Sequence, residues 1–111
     1  EGVAFSTHYT AEAPVTEVSK KFLDAYKQKY GKEPTAFAAL GFDAYLVALE
    51  AIERAGVYEA KAIRDELAKT ANFEGATGII TLDENGDANK SAVIKQVKDG
   101  KFVYIETIQP E

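Results

Sequence analysis

The chain has 111 residues, of which 46% are hydrophobic and 28% charged, so we expect one domain with a modest core. Its net charge of −5, with acidic and basic residues interspersed, argues against a nucleic-acid partner and against an anionic membrane surface. The absence of cysteine excludes disulfide scaffolds, thiolate nucleophiles and cysteine-based metal sites.

The chain opens with a short apolar run of β character, Gly2–Thr7, and a polar connection that holds the only histidine, His8. Pro14 is typical of the first position of a helix. Apolar residues then recur at helical spacing as far as Tyr30, and Gly31 is a typical C-cap, so the pattern predicts a first helix. The opening strand has no sequential partner, which indicates further sheet.

A long and strongly apolar helix is predicted between Thr35 and Gly56. Thr35 is a good N-cap after Pro34, and Gly56 follows Arg54, which together are typical signals for the two ends of a helix. Two adjacent apolar rows cover most of its surface, so the helix must be covered on more than one side. Only four of its residues are predicted to face solvent: Asp43, Glu50, Glu53 and Arg54.

The rest of the chain predicts one more helix and three strands. The helix runs from about Glu59 to Lys69, and a loop from Thr70 to Thr77 follows it, with Phe73 as an anchor. The strands are predicted over Gly78–Leu82, Ser91–Lys98 and Phe102–Ile108, with an Asp99–Gly100 turn joining the last two into a hairpin. This order indicates an α/β fold with an incomplete sheet, which dimerisation or strand swapping would complete.

No set of residues predicts catalysis, a metal site or a cofactor. His8 has no predicted partner other than Glu12, so it is interpreted as a polar loop residue. Asp83–Asp87 resembles a calcium loop, but its glycine is fourth instead of sixth, so a tight turn is predicted. Gly75–Gly78 precedes a strand, whereas a phosphate-binding loop precedes a helix.

Phe37 lies in the first turn of the central helix and admits two interpretations. Its spacing fits a core residue. However, helix starts at the edge of an α/β sheet are where ligands bind, so Phe37 is also a candidate for ligand contact.

The order of the motifs resembles one known family. The motifs are Phe22–Pro34 (FLDAYKQKYGKEP), Ala39–Tyr45 (ALGFDAY), Ala51–Gly56 (AIERAG), Phe73–Gly78 (FEGATG), Ile80–Asp87 (ITLDENGD) and Val97–Val103 (VKDGKFV). The series resembles the C-terminal third of branched-chain amino acid ABC transporter substrate-binding proteins. These are the leucine/isoleucine/valine-binding proteins of the type I periplasmic binding fold.

Members of that family have two α/β lobes, joined by three crossing segments, that close around a ligand. The resemblance implies that residues 1–9 form a second-lobe strand and a hinge, and that residues 10–92 belong to the first lobe. Residues 93–111 would then form a further crossing and a second-lobe hairpin. The implied hinge residues are Thr7, His8, Tyr9, Val93 and Ile94.

By the same resemblance, Phe37 matches the aromatic residue that lines the apolar side chain of the ligand, and Phe42 is a weaker candidate. The segments that hold the α-carboxylate and α-amino group come earlier in the family's sequence. The chain alone is therefore not expected to bind a ligand. The resemblance implies a non-enzymatic protein, periplasmic or extracellular, and membrane-associated in a Gram-positive-type source. Its partners would be a small amino acid and an ABC permease.

Two other interpretations remain open at the level of the sequence. In the first, the chain is a structural module that buries its uncovered helix and strand edges in a homo-oligomer, such as a dimer. In the second, the same fold serves a ligand-sensing receptor or regulator.

Overall fold

The structure, a computed structural model, describes residues 1–111 and has the predicted α/β character. The helices are α1 (Glu17–Tyr30), α2 (Ala36–Ala55) and α3 (Ala60–Leu67). The strands are β1 (Ala4–Thr7), β2 (Phe73–Gly75), β3 (Gly78–Leu82), β4 (Ala88–Asn89), β5 (Ala92–Lys98) and β6 (Lys101–Ile108). No helix combines the length and the apolar character needed to cross a membrane.

The ends of α2 confirm the prediction from its capping residues. The Thr35 hydroxyl accepts the Ala38 N–H at 3.2 Å. At the other end, Gly56 adopts a left-handed φ of 67° and donates its N–H to the Ile52 carbonyl.

The predicted start of α1 is wrong. The helix begins at Glu17 and not at Pro14, because the Thr16 hydroxyl accepts the Ser19 N–H at 2.9 Å while Ser19 Oγ accepts the Thr16 N–H. This reciprocal pair is a capping box, and it satisfies N–H groups that a start at Pro14 would leave free.

The three-stranded sheet comprises β1, β5 and β6, with β5 in the centre and both pairings antiparallel. Asp99 and Gly100 have φ of 52° and 70°, as a tight hairpin turn requires, so the predicted hairpin is confirmed. β1, which has no sequential partner, pairs with β5. A bulge interrupts the β5–β6 pairing, because Ile94 faces Glu106 whereas Lys95 faces Tyr104.

The rest of the chain, residues 8–91, is called the helical part here. Its small antiparallel sheet has the order β2-β3-β4. Strand β2 lies inside the segment for which the sequence predicts only a loop. Gly78, with a φ of 128°, lets the chain fold back so that Phe73 pairs with Ile80.

The core is small and lies in the helical part. Phe22 is at its centre, with ring centroids 4.7 Å from Phe42 and 6.0 Å from Tyr9. Only 16 of the 111 residues are buried, and the radius of gyration of 15.7 Å exceeds the ~13 Å expected for this length. The molecule is therefore elongated, and much of α2 stays uncovered, with Tyr45 66% exposed.

Candidate ligand-binding cleft

A cleft of about 430 Å³ lies between the three-stranded sheet and the start of α2. Phe5 of β1 and Phe102 of β6 pack edge to face, with ring centroids 5.1 Å apart. Phe37, in the first turn of α2, adds a third aromatic ring. Its side chain is 85% exposed, so it lies on the rim of this aromatic cleft and is free to contact a ligand.

The polar lining of the aromatic cleft includes one ion pair. Lys95 Nζ lies 3.0 Å from Glu12 Oε1, and the Tyr104 N–H donates to Glu12 Oε2 at 3.1 Å. The hydrogen bond from Lys95, followed by that from the Tyr104 amide, lowers the pKa of Glu12. The charge of Lys95 is thus already compensated within the chain.

Tyr9 also lines the aromatic cleft, but its ring is buried and its hydroxyl has no hydrogen-bond partner. Burial, and secondarily the negative charge of Glu33, raise the pKa of Tyr9 to about 12. The phenol is therefore neutral at physiological pH and is an unused hydrogen-bond donor.

The predicted site residues do not all meet at the aromatic cleft. Phe37 lines it, whereas Phe42 packs on Phe22 between α1 and α2. Among the predicted hinge residues, Thr7 and Val93 pair directly across β1 and β5, and His8 is exposed. The ligand-binding and hinge roles of these residues stay predictions.

A separate apolar groove of about 620 Å³ runs along α1 and α2. Two lysines flank it, Lys21 and Lys29. Its apolar residues are Val18, Phe22, Ala25, Tyr26, Tyr30 and Phe42.

The most important residue that the sequence analysis misplaces is Asp43. It is predicted to face solvent, but it is only 3% exposed. Its carboxylate accepts the Ala76 N–H at 2.6 Å, the Thr77 N–H at 2.9 Å and the Thr77 hydroxyl at 2.6 Å. Lys90 Nζ donates to the same hydroxyl at 2.8 Å, and burial lowers the pKa of Lys90, partly offset by Asp43.

The loop that Asp43 holds is also fastened to the start of α1. The Thr16 hydroxyl donates to the Gly75 carbonyl at 2.8 Å, and the Ser19 hydroxyl donates to the Ala76 carbonyl at 2.6 Å. A Cβ on Gly75 would lie 2.7 Å from the Asp43 carboxylate. Gly75 therefore allows β2 to pack closely against α1 and α2.

The turn over Asp83–Asp87 is confirmed. Asp83 Oδ1 accepts the N–H groups of Asn85 and Asp87 at 2.9 Å each, which is the behaviour of an Asx turn. No three histidine, aspartate or glutamate side chains in the molecule lie close enough together to hold a metal ion.

Comparison with known sequences matches residues 1–101 to the family described as periplasmic binding protein. A Leu/Ile/Val-binding protein homolog 7 of Brucella abortus (strain 2308) is 26% identical over 104 residues, which cover 89% of this chain and 26% of that protein.

Solved structures give closer matches. The leucine binding protein LivK of Thermotoga maritima MSB8 is 54% identical with a TM-score of 0.90, over 99% of this chain and 31% of that one. The branched-chain amino acid transporter substrate binding protein LivJ of Streptococcus pneumoniae, in complex with isoleucine, is 34% identical with a TM-score of 0.84, over 96% of this chain and 30% of that one. The chain thus spans less than a third of the length of these proteins.

Proposed function

Because the chain belongs to the periplasmic binding protein family, we propose that it is part of an extracytoplasmic solute-binding protein that delivers branched-chain amino acids, or similar small polar solutes, to an ABC permease. The observation that carries the proposal is the 54% identity and TM-score of 0.90 to a leucine binding protein over 99% of the chain. The two similar proteins are described as a leucine binding protein and a transporter substrate binding protein, so the role we propose is solute binding and not catalysis.

Phe37 is our candidate for the contact with the ligand. Its exposed ring and the paired rings of Phe5 and Phe102 line one cleft, which suits the apolar side chain of a branched-chain amino acid. The charges of Glu12 and Lys95 already compensate each other. The α-carboxylate and α-amino group of the ligand would therefore be held by other segments of a longer protein.

The division into lobes that the resemblance implies has structural support. Residues 1–9 and 93–111 supply most of the three-stranded sheet, whereas residues 10–92 supply the helices and the small sheet. The apolar groove and the exposed face of α2, including Tyr45, provide the surface on which the missing part of the first lobe would pack. We therefore propose that the chain alone does not bind the ligand.

The test compares a full-length protein that carries these residues with the 111-residue chain, by isothermal titration of leucine, isoleucine and valine. We expect the full-length protein to bind and the chain alone to show no affinity. Phe37→Ala should weaken binding by about ten- to a hundredfold, the effect of losing one apolar contact that the bound ligand would bury. Tyr58→Ala removes an aromatic residue that is 97% exposed and lines neither the cleft nor the apolar groove, and should leave the affinity unchanged.

A full-length protein that binds none of the three amino acids would contradict the transport proposal, and a micromolar dissociation constant for leucine with the chain alone would contradict its incompleteness. The apolar groove and the free edges of β1 and β6 favour a second candidate, a self-associating structural module. Sedimentation of the same 111-residue sample measures this directly: a dimer supports self-association, and a monomer argues against it.

A further inference from the structure

One side chain makes all the hydrogen bonds between the two parts of the molecule. The three-stranded sheet, with its flanks at residues 1–7 and 92–111, shares no backbone hydrogen bond with the helical part. Both hydrogen bonds between them end on Glu12, one from Lys95 Nζ and one from the Tyr104 N–H.

The geometry at Glu12 is specific. Lys95 and Tyr104 are directly opposite each other on β5 and β6, immediately beside the bulge. The two oxygens of the carboxylate are thus used separately, one on each strand. Lys95 is constrained in this contact, since its side chain is only 16% exposed.

The position of Glu12 matters because one of its two contacts is with β6, the strand that no chain crossing joins to the helical part. The chain passes between the two parts after β1 and again before β5, where Thr7 and Val93 are neighbours. Two adjacent crossings of this kind act as an axis about which one body rotates against the other. A third attachment at Glu12, reaching Tyr104 on the far strand β6, opposes that rotation.

We infer that Glu12 is a positioning residue that sets the angle between the three-stranded sheet and the helical part, and with it the opening of the aromatic cleft. Glu12 and Lys95 line the same cleft as Phe37, Phe5 and Phe102. A change in the angle therefore changes the separation of the aromatic rings that come from opposite parts. The low pKa of Glu12 agrees with this role, because the carboxylate stays ionised at neutral pH.

The experiment follows the relative placement of the two parts through one distance between them. The chain has no cysteine, so Gln28→Cys on α1 and Lys98→Cys at the end of β5 introduce two unique labelling sites, both exposed. Pulsed electron paramagnetic resonance between nitroxides at these sites should give a narrow distance distribution. With Glu12→Ala we expect the distribution to become at least about twofold broader, or its mean to shift, as for a released hinge.

Two further variants separate positioning from general destabilisation. Glu12→Gln keeps one accepting oxygen and should give an intermediate width. Glu106→Ala removes an exposed glutamate from the same sheet with no hydrogen bond to lose, and should leave the distribution unchanged. Circular dichroism should be the same for all of them, since Glu12 lies outside the core. A distribution for Glu12→Ala identical to that of the parent would overturn the inference.

A second experiment, a binding measurement, rests on the proposed function. In the full-length protein, Glu12→Ala should weaken amino-acid binding by about three- to tenfold, because fewer molecules hold the competent arrangement. If the full-length protein bound no amino acid, the proposed function would fail while the label distances still tested the role of Glu12. If Glu12→Ala broadened the distance distribution but left the affinity unchanged, Glu12 would position the two parts only in the ligand-free protein. That result would overturn the inferred link between Glu12 and the opening of the cleft.

Discussion

The helical part and the three-stranded sheet are stabilised by different interactions. Of the 16 buried residues, only Val93 lies in the three-stranded sheet, and all the others lie in the helical part. The helical part is organised by a buried carboxylate and an aromatic cluster. The sheet is held mainly by its own backbone ladder and one aromatic pair, Phe5 and the exposed Phe102. An antiparallel sheet with a single buried residue lacks the packing that normally stabilises such a layer.

This contrast shows where the molecule tolerates change. In the helical part, side chains from distant segments converge on one loop, so a single substitution there removes several interactions at once. In the sheet, hairpin geometry and strand pairing are local, so most single substitutions remove little. Three substitutions test the helical side of this contrast, in order of decreasing effect.

Asp43→Ala should have the largest effect. It leaves the N–H groups of Ala76 and Thr77 without acceptors and removes the negative charge that compensates Lys90. We expect the free energy of unfolding to fall by about 3–5 kcal/mol, as for a broken buried network.

Urea unfolding followed by circular dichroism measures this change. The matched control is Asp24→Ala, an exposed aspartate on α1, which should stay within about 0.5 kcal/mol of the parent. Equal effects of the two substitutions would show that the Asp43 network does not organise the helical part.

The misplacement of Asp43 shows what periodicity predicts and what it does not. The rows of α2 are visible because helical spacing is a local property, and the Asp99–Gly100 turn is visible because it needs positive φ. A charged residue between apolar rows is predicted to be exposed. The partners of Asp43 are backbone N–H groups 33 and 34 residues away, and no side-chain pattern in the sequence predicts them. The signal that the sequence does contain is the pair Gly75 and Gly78 around a short loop, together with Asp43, an acidic residue between the apolar rows of α2.

The candidate site divides in the same way. Phe37 is predicted from its place at the start of α2, which is local information. The role of Glu12 depends on Lys95 and Tyr104, which are 83 and 92 positions away, and on a bulge that alternation alone does not locate. The predicted start of α1 is wrong for a related reason. The capping residue Thr16 is held in place partly by its hydrogen bond to the Gly75 carbonyl, which is distant in the sequence.

Gly75→Ala should have the next largest effect. Its Cβ would lie 2.7–2.8 Å from the carboxylate of Asp43, which three hydrogen bonds hold in place. We expect a loss of about 1–3 kcal/mol from this overpacking.

Gly41→Ala is the control, and its expected effect has the opposite sign. Gly41 lies inside α2, and a Cβ added there would meet nothing within 4 Å, so alanine should stabilise the helix by about 0.5–1 kcal/mol. Thermal unfolding of the two variants measures both effects. If Gly75→Ala were as stable as the parent, the close packing against Asp43 would not be a constraint.

Tyr9→Phe should have the smallest effect at neutral pH, because the buried hydroxyl has no partner to lose. We expect the unfolding free energy to change by less than about 1 kcal/mol in either direction. The difference from the parent should appear at alkaline pH. The folded pKa of about 12 lies above the ordinary value of 10.0, so ionisation of Tyr9 does not affect the stability of the parent below pH 10. As the pH rises from 10 to 12 the unfolded chain ionises at Tyr9 before the folded chain does, and the parent loses stability.

Urea unfolding at pH 8 and pH 11.5 should therefore show a smaller alkaline loss for Tyr9→Phe than for the parent. Tyr58→Phe, at a residue that is 97% exposed, is the control and should follow the parent at both pH values. If Tyr9→Phe lost as much stability as the parent on going to pH 11.5, the hydroxyl of Tyr9 would not be buried in the folded chain.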